Sequence, residues 1–271
     1  MGRSSLCFLG CLRCLTRHSF FPLFSRYIYA LCNDLPSLIY TTTSVLEDFQ
    51  ADGVVYLELR TTPRSIPSAN ITKAHYVETI LDCISKFNES SSMKTNLILS
   101  IDRRNDVATA LEVVDLAVKF SNQGVVGIDL CGDPAVGDVS TFQQPFEHAK
   151  RHDLKITIHF AEAPQSSTEK ELWALLSYNP DRLGHVINVA DNVKKEIVKR
   201  KLGLELCLSC NVHANMITGT YSDHHFGWWK ETRCPIALSV GPPRPGFRKR
   251  ADESRLMMLV SSGASYRTST R

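Results

Sequence analysis

Residues 155–164 read KITIHFAEAP, a short apolar run that ends on an imidazole, His159, and then on a carboxylate, Glu162. An apolar run of this length that closes on Pro164 fits a strand buried on both faces. The flanks decide which kind of sheet it joins. Upstream, STFQQPFEHAKRH (140–152) has helical spacing, and downstream so does STEKELWALLSY (167–178). The alternation extends both ways. Strand-like runs are VVYLELR (54–60), NLILSID (96–102), VVGIDLCG (125–132), KITIHFAE (155–162), RLGHVI (182–187), GLELCLSCN (203–211) and CPIALS (234–239). Helical runs are ITKAHYVETILDCISKF (71–87), DVATALEVVDLAVKFS (106–121) and NVKKEIVKRK (192–201). Continuous apolar strands separated by amphipathic helices call for a parallel sheet with both faces covered. An open doubly wound sheet or a closed barrel satisfies that pattern. No G-x-G-x-x-G or G-x4-G-K-[ST] follows the early strands, so a nucleotide-binding open sheet loses its support and the α/β barrel is favoured.

Polar and charged residues gather at the C-terminal ends of these strands: Arg60 to Arg64, Asp102, Gly132 with Asp133, His159 with Glu162, His185, and Asn211. In a parallel barrel all of those ends lie on one face, and that face carries the chemistry. His159 and Glu162 thus belong to a ring of polar groups that distance along the chain conceals.

The 271 residues are 43% hydrophobic and 22% charged, ordinary for a folded domain of this size. The net charge of +3 is unevenly placed. Four arginines precede the first acid, Asp34, and the segment 240–271 is strongly basic, which leaves an acidic body. A nucleic-acid-binding domain needs a basic stripe on its folded face, so that class is excluded. The nine cysteines include Cys7, Cys11 and Cys14 as C-x3-C-x2-C and Cys207 and Cys210 as C-x2-C, with no second C-x2-C pair for a zinc ribbon. They read as reduced, mostly buried thiols of a cytoplasmic protein. No run of about 18 apolar residues is present, so no membrane span is expected. Three segments follow: a basic stretch over 1–19 that also has features of a targeting segment, a barrel domain over 20–239, and a Pro/Arg-rich tail over 240–271 expected to be disordered.

The runs DGVVYLELRTTPR, IDRR, GIDLCGDP, IHFAE, DRLGHV, LELCLSCNV and DHHFGWW, in this order across residues 20–239, resemble the adenosine deaminase superfamily, and within it the branch that acts on N6-substituted AMP. The resemblance implies a (β/α)8 TIM-type barrel of the metal-dependent hydrolase kind. It implies a zinc cofactor held by a His-x-His pair on the first strand, a histidine on the fifth and an aspartate on the eighth. His159 matches the fifth-strand ligand. Glu162 matches the general acid/base that protonates a purine ring nitrogen, and His185 the histidine that orients the attacking water. Gly132 matches a backbone contact to the purine, and Thr61, Thr62, Pro63, Arg64 and Asp102 match nucleotide-side contacts. The implied partner is a purine nucleoside or nucleoside monophosphate, bound by a monomer with no nucleic-acid or membrane partner. The chemistry is coherent. Zinc lowers the pKa of bound water to about 7, and a buried carboxyl beside it can shuttle protons while the amine leaves.

Two parts of that pattern are missing. The sequence contains no His-x-His, and the run CPIALS continues as VGPPRPG where the family has Thr-Asp-Asp. The barrel is therefore expected to lack its first strand, and one zinc ligand in four, His159, has a match. His18 has no companion, and His213, His224 and His225 lie in a stretch that the family does not use for metal. The expected function is that of a purine aminohydrolase relative with impaired catalysis. The alternative is an inactive homologue or truncated isoform that serves as a nucleotide-binding or interaction protein.

Overall fold

The computed structural model describes residues 29–240 and 264–268. After a helical turn at Tyr29–Leu31 comes α1 (Leu35–Ala51), whose N-terminus is capped by Asp34 accepting from the Ser37 backbone N–H at 2.8 Å. The middle of α1, Thr41 to Thr43, is β-branched, a handicap for a helix. Packing overrides that handicap: Leu38, Val45, Leu46 and Phe49 bury one face of the helix.

Seven parallel strands follow in order: β1 (Val54–Thr61), β2 (Lys94–Asp102), β3 (Val125–Cys131), β4 (Lys155–Phe160), β5 (Arg182–His185), β6 (Gly203–Leu206) and β7 (Ile236–Val240). Between the early ones lie α2 (Lys73–Ser90), α3 (Val107–Lys119), α4 (Gln143–Arg151), α5 (Glu169–Ser177) and α6 (Asp191–Arg200). Two short helices, α7 (Leu208–His213) and α8 (Phe226–Trp229), fill the long connection from β6 to β7. This is the (β/α)8 architecture with seven of its parallel strands among the described residues.

The sequence reading differs at two places. The run 203–211 is not one strand: β6 stops at Leu206, and α7 begins at Leu208. An apolar run alone cannot tell a strand from the first turn of a buried helix. The tail also differs from its expected disorder over one stretch, β8 (Ala264–Thr268), which pairs antiparallel with both β1 and β7 and closes the ring. The reason is the two edges flanking the gap, whose backbone donors and acceptors need partners. The remainder of the tail and the basic segment 1–19 lie outside the described residues.

The outward strand face is apolar: Leu57, Leu59, Leu97, Leu99, Ile128, Ile156, Ile158 and Leu204 are buried under the helices. The inward face is charged. Arg60 on β1 pairs with Glu205 on β6 and lies 3.9 Å from Asp129 on β3. Arg182 on β5 reaches Glu58 on β1 at 2.5 Å and Glu205 at 3.0 Å. Of these, Arg60–Glu205, Arg60–Asp129 and Arg182–Glu58 join non-adjacent strands and so run through the lumen. Where barrels of this class commonly stack branched aliphatic side chains, this one stacks ion pairs.

Candidate functional site at the barrel mouth

His159 lies near the end of β4. Its Nδ1 sits 3.1 Å from both the Asp129 carboxylate and the Leu130 carbonyl. Both partners only accept, so Nδ1 carries the proton and the ring is held in one orientation. Burial pushes the His159 imidazole down, but the Asp129 carboxylate more than offsets this and leaves it above its ordinary value.

Beyond β4 the chain turns through Ala161 in the left-handed region (φ 51°) and delivers Glu162, which is buried. His185 ends β5, and it and Val186 both take left-handed backbone (φ 63° and 47°). Two consecutive non-glycine residues in that region are strained, and the surroundings must hold them. Here Val186 N–H bonds to the Phe160 carbonyl at 3.0 Å, and Asn188 N–H to the Ala161 carbonyl at 3.0 Å. The turn brings His185 Nε2 to 3.7 Å from Glu162 Oε1, and its ring centroid to 5.3 Å from that of His159. Burial, then the neighbouring His159, lowers the His185 pKa against the opposing pull of Glu162.

Gly132 lines the same small cavity as His159 and Glu162, along with Arg103, Cys131 and Ser166. At Gly132 φ is 110°, and an added Cβ would stand 2.7 Å from Asp102 Oδ1, so no other residue fits without a shift. Asp102 is clasped by Arg104 through two contacts of 2.8 and 2.5 Å. Thr62 reaches the Cys131 thiol at 3.7 Å on the same rim. Thr61 turns instead to the Tyr76 hydroxyl at 2.9 Å, and Pro63, two residues on, is buried. Arg64 donates to the Cys32 and Tyr29 carbonyls, and its guanidinium lies 4.9 Å from the centre of the Tyr29 ring. Thus His159, Glu162, His185 and Gly132 share one mouth, with Asp102 and Thr62 at its rim, while Thr61 faces Tyr76 on α2 and Arg64 faces the segment before α1.

Sequence reasoning did not single out Asp129, Glu205 or the link between Asn211 and His224, and it counted Arg60 with the mouth, whereas Arg60 pairs inside the lumen. Asp129 had a signal: it is a carboxylate inside the apolar run VVGIDLCG. Asn211 bridges His185 Nδ1, at 3.0 Å, and His224 Nε2, at 3.2 Å.

A catalytic zinc needs about three protein ligands and one open position. Among the described residues, no group of three or more His, Cys, Asp or Glu side chains stands where it could hold a metal ion. His159 offers one nitrogen. The Nδ1 of His185 is taken by Asn211. Burial pushes the thiol of Cys210 up to about 12 and that of Cys207 well up also, so neither is a ready thiolate. These residues do not fit zinc.

A family model described as adenosine deaminase matches residues 18–244. The chain is 37% identical over 219 residues to an N6-methyl-AMP deaminase of Xenopus laevis, covering 79% of this chain and 62% of that protein. It is 36% identical over 221 residues to the Homo sapiens N6-methyl-AMP deaminase, covering 78% and 61%. The chain thus spans about three-fifths of the length of these curated relatives. Among solved structures, an Arabidopsis N6-mAMP deaminase aligns with a TM-score of 0.78 at 32% identity, covering 91% of this chain and 71% of that one. An Arabidopsis relative complexed with IMP aligns with a TM-score of 0.77 at 35% identity, covering 82% and 66%. The aligned span, 18–244, contains every strand that builds the mouth, and this chain belongs to the adenosine deaminase family.

Proposed function

We propose that this chain binds a purine nucleoside monophosphate at the barrel mouth and that its hydrolytic chemistry is impaired. One observation carries the reading: His159, Glu162 and Gly132 line a single cavity, with His185 Nε2 3.7 Å from Glu162, yet no three-ligand metal set is assembled among the described residues. The related Arabidopsis protein has been solved with IMP and with GMP, ligands of the proposed class. In this reading Glu162 meets a purine ring nitrogen, the Gly132 backbone meets the base edge, and Thr61, Thr62, Pro63, Arg64 and Asp102 serve the ribose phosphate. Arg64 is held by two main-chain carbonyls, so engaging a phosphate requires it to exchange them. The reading extends to a monomer working in the cytoplasm. Among the described residues no helix is long and apolar enough to cross a membrane.

The test uses the full chain, loaded with zinc and then dialysed. Calorimetry should show IMP binding, elemental analysis should show less than one zinc per chain, and N6-methyl-AMP should not be hydrolysed above the rate of Glu162→Gln. Stoichiometric zinc with turnover that Glu162→Gln abolishes would overturn the impaired reading. Absence of binding to IMP and GMP alike would overturn the nucleotide reading.

A further inference from the structure

The run DHHFG (223–227) has no part in the reading above, yet it packs against the mouth. His224 and Asn211 are buried, and the His224 and His225 rings stack at 4.1 Å between centroids, inclined by 25°. The polarity of the hydrogen bonds around them can be worked out from one fixed end. The Phe226 main-chain N–H donates to His224 Nδ1 at 3.0 Å. A backbone N–H cannot reverse its role, so His224 Nδ1 carries no proton. An imidazolium is thereby excluded, and a neutral ring must hold its proton on Nε2. That nitrogen lies 3.2 Å from the Asn211 amide. Of the two orientations of the amide, the one with its NH2 toward His224 would ask the imidazole to accept at both nitrogens, which a neutral ring cannot do. The structure places Oδ1 3.0 Å from His185 Nδ1 and Nδ2 3.2 Å from His224 Nε2, but a half-turn of the amide exchanges the two atoms, and the turned orientation, with Oδ1 toward His224 and the NH2 toward His185 Nδ1, is the one that satisfies both rings. His185 Nδ1 must then accept, and its proton sits on Nε2, the atom 3.7 Å from Glu162 Oε1.

We propose that Asn211 and His224 are positioning residues that fix His185 as its Nε2–H tautomer, so that the imidazole meets a ligand as a hydrogen-bond donor and not as a base. His225 is held separately, by the main chain of His185. Its Nε2 lies 2.6 Å from the His185 carbonyl, which only accepts, so Nε2 donates. Its Nδ1 is buried with no hydrogen-bond partner among the described residues, as an unprotonated nitrogen tolerates better than an N–H would. Both stacked rings are thus neutral, and burial lowers the pKa of each. The donor that His185 presents selects ligands with an acceptor, a carbonyl or hydroxyl oxygen, next to the Glu162 carboxyl. That consequence for the ligand rests on the nucleotide reading; the tautomer itself does not.

The experiment is two-bond proton–nitrogen correlation NMR of the full chain, labelled with 15N at histidine, free of ligand and near neutral pH. The His185 signals are assigned by their loss in His185→Gln. The expected result for His185 is an unprotonated Nδ1 and a protonated Nε2. In Asn211→Asp, an acceptor-only group faces both rings, and the His185 tautomer should invert to Nδ1–H. A protonated Nδ1 on His185 in the native chain overturns the proposal, as does an unchanged tautomer in a folded Asn211→Asp. Should that variant fail to fold, the native spectrum alone decides.

Discussion

Glu205→Gln tests the charged lumen most directly. Burial would raise the Glu205 carboxyl, but Arg60 and then Arg182 overcome this and hold it at about 2, against an ordinary 4.5. At about 1.4 kcal/mol per pKa unit, the folded state gains about 3 kcal/mol from keeping this group ionised. The sign follows from a depressed folded-state value. The contribution is complete above the ordinary carboxylate range and is lost as pH falls toward about 2. Gln keeps the shape and removes the charge, while Arg60 retains Asp129 and Arg182 retains Glu58. Urea unfolding near neutral pH should therefore show Glu205→Gln less stable by about 3 kcal/mol, a midpoint shift of roughly 1 M. Repeated near pH 2.5, the gap should shrink below about 1 kcal/mol, because the native protein has by then lost most of the term and the variant never had it. A gap of the same size at both pH values would refute the assignment, since a packing defect does not titrate.

A chain ending at Val240 lacks β8 and leaves the edges of β1 and β7 unpaired, so light scattering should show concentration-dependent association that the full chain does not show. Gly132→Ala forces a Cβ to 2.7 Å from Asp102 Oδ1 at a φ of 110°, and should lower stability by more than about 1 kcal/mol in a thermal melt and weaken IMP binding in calorimetry. Tyr178→Phe removes the 2.6 Å hydrogen bond to the Val139 carbonyl but keeps the stack on Phe146, so denaturant unfolding should show a loss of about 1 kcal/mol.

The strands were legible because both of their environments are simple. VVYLELR and NLILSID are apolar wherever they meet helices, and turn residues mark where they stop. His159, Glu162, His185 and Gly132 were legible because each follows such a strand, and a parallel barrel sends all those ends to one side. The lumen was not legible. Glu58, Arg60, Asp129 and Glu205 are single charges inside apolar runs, and Arg60 meets Glu205 across 145 positions of sequence. No local pattern reports a pairing set by closure of the ring. The relay behind His185 was hidden for a similar reason: Asn211 was visible as a strand-end residue, but its partner His224 comes from a loop with no periodicity. β8 was hidden by composition, because a Pro/Arg-rich tail gives little sign of the gap that Ala264–Thr268 fills.

The pairing of β8 is uneven. It runs beside β1 from Val54 to Glu58 but meets β7 only at Ser239 and Val240. Two ladders of unequal length give the ring a preferred place to part. Under native conditions, amide hydrogens shared between β7 and β8 should exchange with solvent through small local openings, while those of β2 and β3, deep in the continuous parallel part, wait for global unfolding. The barrel then behaves less like a closed hoop than like a clasp: a spring of seven strands whose catch is the last segment of the chain, and whose release on one side leaves the other still fastened.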